Sequence, residues 1–227
     1  MALLRALAVL SLLPLLQAHD PALANLTAIP ITNATLQRLS GRWFFLGSAF
    51  RNPVYKQAAE QIQAEFFDLV PNLTDDTILV REYQTIEDKC IYNSTHLGVQ
   101  RENGTLSKSE GDTEHLGLLL LPRDPKSFML AFSLEDEQNR GISFYGGKPH
   151  ITPEQLKEFE DAATVAGLRK MEITYVDWKK DRCGLCRNSR NRTGRRKWRP
   201  RKRKPGLSPI IILCTPPSFL AINKHSV

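Results

Sequence analysis

From Gln61 to Tyr145 the chain repeats one pattern, a short β-rich run followed by a cluster of turn residues. Gln61–Val70 ends at Pro71-Asn72-Leu73-Thr74-Asp75-Asp76, and Thr77–Gln84 precedes Glu87-Asp88-Lys89. Cys90–Arg101 ends at Glu102-Asn103-Gly104, and His115–Leu121 at Pro122-Arg123-Asp124-Pro125. Ser127–Leu134 precedes Glu135-Asp136-Glu137-Gln138-Asn139, and Gly141–Tyr145 ends at Gly146-Gly147. Pro, Gly, Asn and Asp break strands because they fix or free the backbone, so regular spacing of them between β-formers predicts an antiparallel meander. A meander must hide its edges, which makes a sandwich or a barrel the expected all-β architecture.

The stretch before the meander, Leu39-Ser40-Gly41-Arg42-Trp43-Phe44-Phe45-Leu46-Gly47-Ser48-Ala49-Phe50, reads as its first strand. Gly41 permits a tight backbone turn at the strand entrance. The indole of Trp43, two residues on, can lie across the end of a sheet with its N–H on a polar partner. After the meander the period changes. Thr152-Pro153-Glu154-Gln155 is a capping box with Pro at the first helical position, and Leu156, Phe159, Ala163 and Ala166 then recur on one apolar stripe. Gly167 supplies the stop, so a helix is expected from Pro153 to Ala166. Lys170–Trp178 returns to strand-like alternation, with Met171, Ile173 and Tyr175 against Glu172, Thr174 and Val176.

Residues 1–18 carry a basic start at Arg5, an apolar core from Ala6 to Leu16 and a small residue, Ala18, before His19-Asp20. This is the pattern of a cleaved secretory signal peptide, too short for a stable membrane span of about 20 residues. Export is the expectation, with the mature chain starting near His19. Asn-x-Ser/Thr acceptors at Asn25, Asn33, Asn72, Asn93 and Asn103, and a further one at Asn191, favour a glycoprotein. Asn103-Gly104 is also a tight-hairpin signal, which would put a glycan at a water-facing tip. Four cysteines allow three pairings among them. Cys183-Gly184-Leu185-Cys186 has redox spacing, but it lacks the βαβ setting that gives the spacing meaning.

The net charge of +7 conceals a division. Residues 184–227 hold twelve Lys/Arg and no Asp/Glu, which leaves 19 basic against 24 acidic residues before them. The body is mildly acidic, so the overall charge is no argument for a nucleic-acid binder. Arg195–Lys204 has eight basic residues around Trp198, a composition suited to polyanions. In an exported chain the partner would be heparan sulfate or an anionic membrane surface.

The residue runs add specificity. These include Pro30-Ile31-Thr32-Asn33-Ala34-Thr35-Leu36, Gly41-Arg42-Trp43-Phe44, Arg81-Glu82-Tyr83-Gln84-Thr85, Cys90-Ile91-Tyr92-Asn93, Val99-Gln100-Arg101-Glu102-Asn103-Gly104-Thr105 and Asp177-Trp178-Lys179-Lys180-Asp181. With them the chain resembles the lipocalin family, and within it the heavily glycosylated acute-phase carriers of plasma, over roughly residues 1–183. The resemblance implies an eight-stranded antiparallel up-and-down barrel at residues 19–183, with one C-terminal helix outside it and a short final strand. It implies a secreted monomeric transport protein for small lipophilic ligands such as steroids and basic drugs, with a part in immune modulation. It also implies a Cys90–Cys183 disulfide. A second family bridge is absent here, because its positions correspond to Leu23 and Val165. Residues 184–227 depart from the family altogether and form a basic, disordered tail by expectation.

The family's cavity implies a ligand wall of Phe45, Phe67, Glu82, Gln84, Lys108, Phe132, Ser143 and Tyr145, with Trp43 at the closed end. Strand period partly supports it. Ile78, Val80, Glu82 and Gln84 share one face and Leu79, Arg81 and Tyr83 the other, so Glu82 and Gln84 continue an apolar line toward the mouth. An acid there favours cations, and desolvation raises its pKa. The alternative is that Glu82 pairs with Lys108 or another base and is structural. Nothing marks an enzyme: His96, His115 and His150 have no partner at metal spacing, and there is no nucleophile motif. No cofactor or metal is expected.

Overall fold

The computed structural model describes residues 26–184. The leader, Leu23, Asn25, Cys186, Asn191, Cys214 and the basic tail lie outside the described residues. Helix α1 (Asn33–Leu39) leads into β1 (Gly41–Phe50), α2 (Pro53–Gln61) and β2 (Ile62–Asn72). Then follow β3 (Thr77–Ile86), β4 (Lys89–Gln100), β5 (Thr105–Glu110), β6 (Thr113–Leu120), β7 (Ser127–Phe132) and β8 (Gly141–Gly146). Helix α3 (Pro153–Val165) and the short β9 (Ile173–Tyr175) complete the order.

Each strand pairs antiparallel with the next from β2 to β8, and β1 closes the circle. The first half of β1 pairs with β2, as Gly41↔Leu69 to Phe44↔Phe66. Its length from Phe44 to Phe50 pairs with β8, across a bulge between Phe45 and Gly47. The edge that β2 leaves free takes β9, with Gly47–Ala49 opposite Ile173–Tyr175. The wall is uneven. Strands β3 and β4 pair along their whole length, Thr77↔Gly98 to Ile86↔Lys89. The β4–β5 register spans only Gly98–Gln100 against Thr105–Ser107.

Two apolar cores lie on opposite faces of this wall. Inside, Trp43, Leu69, Ile78, Val80, Val99, Leu106, Leu119 and Phe128 fill the lower barrel, and α1 plugs it with Leu36 and Leu39, both fully buried. The Thr32 hydroxyl caps α1 by accepting from Thr35 N (3.2 Å). Arg38 then ties α1 to the β6–β7 turn, donating to the carbonyls of Pro122, Asp124, Pro125 and Ser127 at 2.9–3.2 Å. Trp43 Nε1 donates to Leu39 O (2.7 Å), so the indole closes the floor as the Gly-x-Trp triplet predicts.

Outside, α3 and its C-cap Ala166 lay Phe159, Ala162, Ala163 and Ala166 on Leu46, Ala49, Met129, Ala131, Ile142 and Phe144. Phe159 stacks on Phe144 with centroids 5.2 Å apart. Burial of that ring alone is worth about 2–3 kcal/mol. The expected capping box forms, and Phe159, Ala163 and Ala166 of the expected stripe are buried; the departure is confined to the first turn. Gln155 is buried and Leu156 only half-buried. The cause is that Gln155 accepts from Thr152 N (3.0 Å) and donates to Asp124 Oδ2 (2.6 Å), which pulls its face inward. The strand expected over Lys170–Trp178 shrinks to β9, because 3-10 turns at Lys170–Glu172 and Trp178–Lys180 flank it.

Cys90 and Cys183 are bridged, with Cα atoms 4.9 Å apart. The bridge packs with Phe66, Tyr83 and Trp178 on the outer face of β2–β4 and pins the chain after β9 to the start of β4. Val165, at one position of the absent family bridge, is exposed.

Candidate functional site

Strand period builds the upper interior from the same strands that build the floor. On β3, Ile78, Val80, Glu82 and Gln84 are all buried, and Leu79, Arg81 and Tyr83 alternate outward. Tyr83 stacks outside on Phe66 at 4.7 Å. Opposite β3, β2 sets Phe67 beside Glu82 and Glu65 beside Gln84. From β4, Asn93 stands opposite Glu82. Strands β1 and β8 place Phe45 opposite Tyr145 and Ser48 opposite Ser143.

An aromatic ladder joins floor to upper interior. Trp43 meets Phe128 edge-on at 4.8 Å, and Phe128 stacks on Tyr145 at 4.7 Å. Tyr145 touches Phe45 (5.8 Å) and Phe67 (5.6 Å). Above the ladder sits a polar knot. Gln84 Nε2 donates to Glu82 Oε1 (3.1 Å) and also to Glu65 Oε1. Asn93 Nδ2 donates to Glu82 Oε2 at 3.4 Å. Glu65 and Glu82 are 5% and 4% exposed, which is rare for carboxyls and sets their chemistry.

Burial, then the charge of Glu82, pushes the Glu65 carboxyl well above the usual carboxylate range. Burial also raises Glu82, while the charge of Lys108 and hydrogen bonds from its neighbours pull the other way. Burial raises the Tyr145 phenol, helped by the nearby Glu65 and Glu82.

Of the eight expected wall residues, Phe45, Phe67, Glu82, Gln84, Ser143 and Tyr145 come together in this upper interior. Lys108 is half-buried on β5 and acts on Glu82 through its charge. Phe132 stands higher, at the rim: its ring lies where a Cβ on Gly117 would come within 3.0 Å of it, and it stacks with Phe50 at 6.3 Å. Sequence reasoning passed over Glu65, Phe50 and Tyr55, which meets Phe50 at 6.2 Å from α2. Counting back by two from Phe67 puts Glu65 on the interior face, so its signal was present.

Among the described acceptor residues, Asn33, Asn72 and Asn103 are exposed, whereas Asn93 is half-buried. The described residues include no group of three His, Cys, Asp or Glu that could hold a metal ion. No described helix is long and apolar enough to cross a membrane.

A closed eight-stranded meander with an indole-capped floor, an outer helix and a polar upper interior defines the class, a single small up-and-down β-barrel. The chain belongs to the lipocalin and cytosolic fatty-acid binding protein family, whose model matches residues 40–180. It is 55% identical over 184 residues to the alpha-1-acid glycoprotein of Rattus norvegicus, covering 81% of this chain and 89% of that one. To the alpha-1-acid glycoprotein of Bos taurus it is 56% identical over 185 residues, covering 81% and 92%. The solution structure of lipocalin 12 from rat epididymis shares the fold, with TM-score 0.53 and 16% identity over 68% of this chain and 92% of that one.

Proposed function

We propose that this chain is a secreted, monomeric transport glycoprotein that carries small lipophilic ligands, neutral and basic, in the upper barrel. Residues 1–18 are its leader, 19–183 the barrel domain and 184–227 a separate basic tail. The observation that carries the reading is the aromatic ladder Trp43–Phe128–Tyr145 ending under two buried carboxyls. Apolar walls with a few converging polar groups are what ligand sites are made of. Phe45, Phe67 and Tyr145 supply contact area, Ser143 and Gln84 polar contacts, and Glu82 the bias toward cations, with Lys108 and Phe132 nearer the mouth. No catalysis is assigned. The acute-phase, immune-modulating role of the family members it resembles is proposed with the carrier role, as are glycans on Asn25, Asn33, Asn72, Asn93 and Asn103.

A ligand of about 20 heavy atoms at about 0.3–0.4 kcal/mol per atom gives micromolar or somewhat tighter binding. Calorimetric titration of the secreted full-length protein with progesterone and with a lipophilic amine tests this. Micromolar binding of both supports the carrier. The eight basic residues of Arg195–Lys204 favour a second reading, polyanion binding through the tail. Retention on heparin with no binding of either small molecule would leave that reading in its place.

A further inference from the structure

The carrier reading counts both buried carboxyls but gives a role of its own only to Glu82. Glu65 is 5% exposed, on the interior face of β2, and shares the Gln84 amide nitrogen with Glu82. One nitrogen donating to both Oε1 atoms fixes the two carboxyls as close neighbours. An amide nitrogen has two hydrogens, one for each carboxyl, and none is left for the oxygens that face each other. Like charges held this close in a buried place do not both ionise, so the pair keeps a proton.

We propose, resting on the carrier reading, that Glu65 is a second specificity-determining carboxyl of the barrel, holding with Glu82 one shared proton that a basic ligand displaces on binding.

The charges around the pair explain why the exchange is favoured. From β5, Lys108 puts a positive charge toward Glu82. On β6, His115 stands opposite Lys108 in register, exposed at the mouth. From β4, Asn93 donates to Glu82 without charge. On β8, Tyr145 and Ser143 are neutral, and β1 adds Phe45 and Ser48. At the rim on α2, Lys56 and Glu60 pair with each other at 3.7 Å. Among the described side chains, the interior thus holds two carboxyls and one ammonium.

With one shared proton, the interior charges cancel. A monocation entering on top of that proton would leave an uncompensated charge in a place where charge is costly. If the proton instead leaves to solvent, Glu65 and Glu82 are both ionised, Lys108 and the ligand balance them, and the sum returns to zero. The step is a proton for a cation, with no other bond made or broken. A neutral ligand has no such exchange. Linkage then gives the pH law. Release of one proton makes cation affinity rise about tenfold per pH unit wherever the free pair is protonated. Affinity for a neutral ligand stays level across the same window.

The test titrates the full-length protein with benzyltributylammonium, a fixed cation that carries no titrating proton of its own, and with progesterone. Each titration is run at pH 7 in two buffers of different ionisation enthalpy. The expected result is release of between a half and one proton per cation bound and none per progesterone. Glu65→Gln should bring the release on cation binding to near zero, whatever its affinity, because no pair remains to share a proton. Wild-type protein that binds progesterone but releases no proton with the cation overturns the proposal and leaves the carrier reading intact. Binding of neither probe overturns both. Undiminished release from a folded Glu65→Gln assigns the proton elsewhere and overturns it too. Should that variant fail to fold, the wild-type pH series decides alone: a flat cation affinity from pH 6 to 8 overturns the proposal.

Discussion

Along β3 the first two interior positions, Ile78 and Val80, belong to a packed apolar floor, while the next two, Glu82 and Gln84, belong to a polar knot. The strand, the face and the period are the same. What differs is the company each pair keeps. Below, α1, Trp43 and Phe128 fill the space with carbon. Above, four polar side chains from β2, β3 and β4 satisfy one another at a depth where polar groups are usually absent. The difference teaches that one barrel separates two tasks by height. The floor is packed carbon, and the upper interior places buried polar groups where the proposed carrier role would use them.

That division makes ordered predictions. Trp43→Ala removes the indole between Leu39 and Phe128, and it should cost about 3–5 kcal/mol of unfolding free energy in urea titrations. A cost below about 1 kcal/mol would mean that the floor is not the stabilising half. Replacing Cys90 and Cys183 by Ser removes a crosslink over a sequence separation of 93, worth about 2–4 kcal/mol. Peptide mapping without reduction should first show this pair joined, and a Cys183–Cys186 bridge would contradict it. In the upper half, Glu82→Gln should weaken a cationic ligand by about 1 kcal/mol or more, and by more than it weakens a neutral steroid of similar size. Equal weakening would make Glu82 structural.

The smallest effect is in the pH dependence of stability. The Glu65 and Glu82 carboxyls are both raised by burial. A carboxyl with a higher pKa folded than unfolded favours folding fully below its ordinary value, and that advantage is lost as pH rises through the folded value. Glu65→Gln should therefore match wild-type melting near pH 4 and melt higher than wild type near pH 8. A gap of the opposite sign would mean that Glu65 is a stabilising anion, contrary to its burial.

How much of this was legible in the chain varies with the physical cause. The meander, α3 and the Trp43 floor were readable because period and turn chemistry are local. Strand β5 was not, since Thr105-Leu106-Ser107-Lys108-Ser109-Glu110 offers one apolar side chain to mark a face. Helix α1 is seven residues long and is held by Arg38 reaching across to the β6–β7 turn, a tertiary cause. At the site, Glu82 and Gln84 followed from Ile78 and Val80 by counting. Glu65 follows from Phe67 by the same count, but Ala64, Glu65 and Phe66 are buried in succession, so no alternation along β2 draws the eye to it. Phe66 is covered from outside by Arg42, 4.3 Å from the ring centroid, and by the Cys90–Cys183 bridge. The contrast between an apolar and a polar face is lost wherever both faces of a strand are covered, although the count by two still holds.

The short β4–β5 ladder has its own consequence. Its three register pairs lie at the floor end, where a Cβ on Gly98 would come within 2.6 Å of Ser107 Oγ. Above that pinch, Lys89–Leu97 are paired only with β3 among the described residues. The barrel is therefore closed at its weakest joint by three register pairs at the base, with no ladder between β4 and β5 above them. Parting β4 from β5 breaks few backbone hydrogen bonds, whereas parting β3 from β4 would break a full ladder. Breathing of the wall, and hydrogen exchange of its amides, should start along this seam. A guest too broad for the rim would widen the cylinder there, close to Lys108 and Asn93.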